Sequence, residues 1–308
     1  MSSGLWISEQ YYFSPTRVQR RILKMFIPRN WFQLKFEIKV EASIAIKYGS
    51  QEMKSLIPFQ REYLYFLLSY YDGVMLSQLT KAVDGICEKL DCVVSSVVID
   101  GPFGFDCVPQ ILHWIYHRQD SIESLEIHKY GRAEIYRYMF KYPSATSIGY
   151  LFQYSSFVKK EFALAIDEWP PNVPLPKFGM DHLSLQSLAA VSLQDDVPTF
   201  DCIHICLQSH SFHSTHLNEY LKKWIEGCNP RMEYLKLISC RARRANIVEG
   251  IKWERQSGSY VRTYEHPKLL VPFTSTGGVN IKRKDGTVAT FKLRKSIFEM
   301  VVWPKNVK

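Results

Sequence analysis

FDCIHICLQSHSFHSTHLNEYLKKWIEGCNPRMEYLKLISC, residues 200–240, reads as strand, turn, helix, turn, strand. Phe200–Leu207 is the first strand. In Ser214–Glu226 the apolar residues are Leu217, Tyr220, Leu221, Trp224 and Ile225, the spacing of one helical face. Lys222, Lys223 and Glu226 fall on the other side. Gly227 can take the left-handed conformation that ends a helix, and Pro230 prevents the helix from resuming. Met232–Ile238 then returns as a strand. Short helices between strands favour right-handed crossovers and a parallel sheet, so this unit sets the expectation of an α/β fold.

Upstream the same theme recurs. Val93–Ile99 is apolar and β-branched, as a strand requires. Val108, Ile111, Leu112, Ile115 and Tyr116 form a helical stripe, with Pro109 allowed in its first turn. Ser121–Ile127 reads as a strand. Ile135, Tyr138, Met139 and Tyr142 form another stripe that Pro143 stops, and Ala145–Phe152 reads as a strand again. Strand starts near 94, 121 and 145 lie within the ~20–29-residue period of leucine-rich-repeat-like stacks, although the asparagine ladder of true leucine-rich repeats is absent. Pro170, Pro171, Pro174 and Pro176 demand an extended loop.

Towards the N-terminus, Arg17–Phe26 suggests one short basic helix. Phe32–Val40 alternates as a strand with one buried face, Ser43–Tyr48 suits its neighbour, and Arg61–Tyr71 and Val74–Leu90 read as helices. Beyond Cys240, Arg241–Arg255 reads as helical and Ser259–Tyr264 as a strand. Gly278–Lys284 and Thr287–Leu293 flank Asp285-Gly286, a dipeptide favoured in two-residue hairpin turns because both positions need positive φ. Phe298, Met300 and Val302 alternate in a last strand that ends at Trp303-Pro304. The fold class expected is therefore α/β: leucine-rich-repeat-like stacked strand–helix units with a C-terminal antiparallel β-hairpin element.

A hydrophobic content of 46% argues against intrinsic disorder. No run approaches the ~18 apolar residues of a membrane helix, and MSSGLWISEQYYF is not a secretory signal, so a cytoplasmic or nuclear protein is expected. The seven cysteines have no CxxC and no framework spacing, which fits reduced thiols. A net charge of +9 suits acidic partners, and a basic nucleic-acid-binding protein is one alternative reading. The basic residues are scattered, however, and no nucleic-acid motif accompanies them.

The sharpest chemical candidate is Cys202, His204, Cys206 and His210, followed by His213 and His216. In a strand Cys202, His204 and Cys206 would share a face, and thiolate and imidazole are zinc ligands. A metal-dependent hydrolase built on residues 202–216 is thus the enzymatic alternative, yet the spacing matches no common zinc module. A buried strand with small cysteines, followed by a polar turn, accounts for the same residues. Cys107 or Cys206 paired with a histidine is a conceivable nucleophile, but no local context lowers either thiol pKa. Gly101-Pro102-Phe103-Gly104 lacks the lysine and spacing of a phosphate loop. Trp114, Trp224, Trp253 and Trp303 suit core or interface anchors, with Trp303 the candidate for a contact residue.

Two stretches carry a family resemblance. HLNEYLKKWIEGCNPRMEYLKL (216–237) and GGVNIKRKDGTVATFKL with FEMVVWP (277–304) resemble the nematode F-box-associated domain, type 2, and IVEGI (247–251) resembles a segment between them. The signature positions are Asn218, Leu221, Lys222, Trp224, Gly227, Asn229 and Pro230, with Arg283, Asp285, Gly286 and Trp303 in the tail. The resemblance implies a non-catalytic protein-interaction module without cofactors, similar to the substrate-recognition part of an SCF-type ubiquitin-ligase receptor, whose partner is an unknown target protein. A full F-box, which binds the Skp-type adaptor in such receptors, is not evident. SPTRVQRRILKMF (14–26) resembles only the basic segment that follows one, so adaptor binding is not expected of this chain. The domains expected are an F-box remnant at 1–31, a repeat-like region at 32–180 and the F-box-associated domain at 181–304.

Overall fold

A computed structural model of the chain describes residues 80–81, 83–85, 87–88, 93–100, 107–128, 145–166, 173–186, 191–257, 261–266, 269 and 272–304, together with the backbone of 32–38, 42–48 and 51–56. The short basic helix, the helix expected at 61–71, the stripe at 135–142 and Pro170-Pro171 lie outside the described residues. The elements are β1 (Phe32–Ile38), β2 (Ala42–Tyr48), β3 (Gln51–Leu56), β4 (Val94–Asp100), α1 (Cys107–Tyr116), β5 (Ile122–His128), α2 (Ala145–Gln153), β6 (Val158–Ala165), β7 (His182–Gln186), β8 (His204–Gln208), α3 (Ser214–Glu226), β9 (Tyr234–Ile238), α4 (Arg244–Ile247), β10 (Trp253–Arg255), β11 (Val261–Tyr264), β12 (Phe273–Thr276), β13 (Val279–Lys282), β14 (Val288–Arg294) and β15 (Ile297–Trp303). The described residues of 80–88 are helical as well.

The architecture is mixed α/β, dominated by one large sheet with few helices. Thirteen strands run in the order β10-β13-β14-β15-β9-β8-β7-β6-β5-β4-β1-β2-β3. From β4 to β9 the strands are parallel and lie side by side in chain order. The antiparallel strands β15, β14, β13 and β10 extend one edge, and β2 and β3 extend the other beyond β1. A two-stranded ribbon, β11–β12, forms a separate sheet. Among the described residues no helix is long and apolar enough to cross a membrane.

Period-2 alternation builds the core. Val97, Leu125, Phe162, Leu183, Ile205 and Leu235 are in register across six parallel strands, and all are buried. A second buried row follows two residues on, from Ile99 through Ile127, Leu164, Leu185 and Leu207 to Leu237. The apolar stripes of α1 (Ile111, Leu112, Ile115), α2 (Ile148, Leu151, Phe152) and α3 (Leu217, Tyr220, Leu221, Trp224) join these rows in one cluster. The helices therefore cover one face of the sheet.

Several expectations are corrected. Ala145–Phe152 is not a strand but most of α2. Ile148, Leu151 and Phe152 repeat at i, i+3, i+4 and are buried together, a helical spacing concealed in a short apolar run. The parallel strand that follows β5 is β6 instead, where Phe162 and Leu164 alternate with Glu161 and Ala163. Strand β8 begins at His204 rather than Phe200, because the backbone of 201–204 bonds first to Phe178 and Asp181. Only Arg244–Ile247 of the expected helix at 241–255 is helical. Gly250 turns the chain at φ +69° and Trp253–Arg255 pairs with β13 at the sheet edge. Asp285-Gly286 does not form a two-residue turn either. Arg283 and Thr287 close a longer connection, only Gly286 has positive φ (+91°), and the Asp285 carboxylate accepts from the Thr287 amide at 2.9 Å.

Candidate functional site on the polar face of the sheet

Alternation that sends leucines to the core sends their neighbours to the opposite face. Ser96, Ser124, Glu161, His182, His204 and Tyr234 form one row in register from β4 to β9. Glu126, Ala163, Ser184, Cys206 and Lys236 form the next. Most of these side chains are half-buried.

The ribbon covers one end of this face. Tyr264, Leu269 and Phe273 pack against Tyr234, Val288, Val301 and Trp303 in a second, smaller apolar cluster. Arg262 lies over the Trp303 ring at 5.3 Å, and Tyr264 stacks on Tyr234 with an interplanar angle of 9°. Trp303 is thus buried beneath the ribbon, with its Nε1 donating to Thr290 Oγ1 at 2.7 Å, and is not an exposed contact residue. Trp253, on the edge strand β10, is the exposed tryptophan of the described residues.

At the ribbon's border three imidazoles meet. His182 and His204 are partners in the parallel register, and His266 arrives just after β11. The ring centroids are 3.9 Å apart for His204 and His266, 4.5 Å for His182 and His204, and 4.7 Å for His182 and His266. His204 is buried, whereas the other two are half-buried. Burial, then the neighbouring His182 and His266, lowers the His204 pKa to about 3, so its imidazole is neutral at physiological pH. His204 Nε2 lies 2.6 Å from Tyr264 Oη, which in turn lies 2.7 Å from Glu233 Oε2. An ionised carboxylate only accepts, so the hydroxyl donates to Glu233 and His204 Nε2–H donates to the hydroxyl. This leaves the lone pair of His204 on Nδ1.

Cys202, His204, Cys206 and His210 are placed apart. Cys202 is in the helix-covered core, its Sγ 3.9 Å from Met180 Sδ. Cys206 is on the polar face, and His210 is exposed in the turn after β8. Burial pushes the Cys202 thiol up to about 12 and raises Cys206 too, the direction that keeps both protonated. His182 and His266 were missed as partners of His204. A signal for His182 exists, because HLSLQ (182–186) and HICLQ (204–208) are near copies that pair in register.

Apart from Trp303, beneath the ribbon, the positions that carry the resemblance lie on the helix side. Leu221 and Trp224 are buried, and Lys222 is exposed. Gly227 (φ +121°) ends α3, with its amide bonding Trp224 O and the Cys228 amide bonding Lys223 O, a Schellman arrangement. Asn218 Nδ2 donates to Ile247 O and Glu249 O, each at 2.8 Å, tying α3 to the IVEGI segment. Asn229, at φ +50° and buried, donates to Val197 O and Phe200 O and accepts from Tyr220 Oη. Pro230 follows in the exposed turn. Arg283 is held by Asp285 at 2.9 and 3.1 Å and lies over the Trp224 ring at 5.4 Å, while the Lys284 amide donates to Ile225 O. The two signature stretches therefore pack on each other. Searches of curated proteins and of solved structures give no match to the chain. Residues 178–237 match the family model described as F-box associated, which supports an F-box-associated domain in the segment spanning β7, β8, α3 and most of β9.

Proposed function

We propose that the chain is a non-catalytic protein-interaction module whose F-box-associated segment supports recognition of a target protein, as the substrate-binding part of an SCF-type ubiquitin-ligase receptor does. The observation that carries this reading is the one-sided sheet. Helices and the main core cover one face, and the polar face between β4 and β7 is a broad surface set on rigid strands. In this reading β4–β9 are leucine-rich-repeat-like stacked units, 32–180 is the repeat-like region, and 181–304 is the F-box-associated domain. The protein works in the cytoplasm or nucleus.

The test is affinity capture with photo-crosslinking, using the full chain and a Ser124→Arg/Glu126→Lys variant. Both substitutions lie on the polar face of β5. The expected result is a protein retained by the native chain, lost by the variant, and ubiquitylated in cells in a manner that depends on the native chain. Retention of the same proteins by both chains would overturn the polar face as the recognition surface.

A further inference from the structure

We propose that His182, His204 and His266 form a binding site for a divalent transition-metal ion, zinc by preference, that clamps the β11–β12 ribbon onto the large sheet. One ligand atom from each imidazole lies within 4.8 Å of the others. Zinc–nitrogen bonds of about 2.0–2.1 Å require only that ring rotations draw the three together. Imidazole is a borderline donor suited to zinc, and three histidines leave a fourth position for water or a partner's side chain. The half-buried state of His182 and His266 keeps that side open.

The surroundings prepare His204 for ligation. Its Nε2–H is committed to Tyr264 Oη, which Glu233 holds in turn, so Nδ1 carries the lone pair. A metal-bound histidine characteristically gives its other N–H to such a relay, which fixes tautomer and ring orientation. The topology also suits a clamp. His182 and His204 stand side by side on β7 and β8, and His266 belongs to the ribbon, which shares no strand pairing with the large sheet. The site is independent of the target-recognition reading above.

The full chain, prepared without a histidine tag, is stripped with a chelator, titrated with zinc alone and passed through gel filtration before metal analysis. The native chain should retain about one equivalent and His182→Gln/His266→Gln less than about a tenth of that, as for loss of two of three zinc ligands. His266→Gln alone changes only the ribbon and covers the case in which the double variant does not fold. Cobalt(II) added to the native chain should give the intense visible bands of a tetrahedral, nitrogen-ligated ion. Tyr264→Phe, which removes the relay, should weaken zinc binding about 10–100-fold. No retained zinc in the native chain, or equal zinc in native and histidine variants, overturns the site.

Discussion

On β5, Leu125 and Ile127 are buried in the helix-covered core, while Ser124 and Glu126, each one residue away, lie half-buried on the opposite face. The same division recurs in β7, while in β6 Ala163 and Ala165 and in β8 His204 are buried on the second face as well. One face is apolar, closed and packed against α3, where most of the positions that carry the resemblance lie. The other is polar, largely open, and carries the histidine cluster where the ribbon lands. The positions behind the resemblance serve packing: Trp224, Asn218, Asn229 and Arg283 all make contacts between elements.

The harshest test of this division is an arginine at Leu125. Its side chain is fully buried among Val97, Phe162 and the helices, and no carboxylate of the described residues is buried to pair with a charge there. An unpaired buried charge costs several kcal/mol, on the order of a domain's whole stability, so Leu125→Arg should abolish cooperative unfolding in a urea titration. Retention of a native-like transition would show that the helix-covered face is not a closed core.

The next effect concerns a polar residue that serves the apolar side. Asn229→Ala takes the side-chain donor from Phe200 O and one of two donors from Val197 O, removes the oxygen acceptor of Tyr220 Oη, and forces alanine into a left-handed backbone. The expected loss is about 2–4 kcal/mol by urea unfolding. Asn229→Gly should regain only the backbone part.

Acidification separates the faces in another way. His204 has a folded pKa of about 3 against an ordinary 6.5, so the unfolded chain binds a proton that the folded chain refuses. Stability contributed by the neutral ring is complete above about pH 6.5 and falls as pH drops towards 3. One proton of difference sets a limiting slope of about 1.4 kcal/mol per pH unit in this window. His204→Asn should flatten that part of the stability profile, and an unchanged profile would place the acid sensitivity elsewhere.

How much of this was legible follows from what each feature depends on. Helix α3 was readable end to end, because an uninterrupted 3.6-residue stripe runs into Gly227. Strands β1, β2, β4 and β5 were readable from β-branched or alternating runs. Helix α2 was not, since nine residues rich in apolar side chains fit either period. Strands β6 and β7 escaped because Lys159, Lys160 and His182 break their apolar character, though the HLSLQ/HICLQ repeat was there to be used. The histidine cluster needed two tertiary facts, the register of β7 with β8 and the landing point of the ribbon. The first leaves a trace in local sequence; His266 leaves none.

The smallest expected effect is the most informative about the open face. Ser124 sits between Ser96 and Glu161 in the polar row, half-buried, beside a carboxylate that can receive a guanidinium. Ser124→Arg should therefore change stability by less than about 0.5 kcal/mol, the range of surface substitutions away from packed sites. Measured beside Leu125→Arg, it places the same side chain at adjacent positions on opposite faces. A large loss at both would mean that the polar face is covered, and the recognition surface would then have to be sought at the strand ends. A loss at Leu125 alone leaves the face open, and any loss of partner capture by Ser124→Arg then reports on contact rather than on folding.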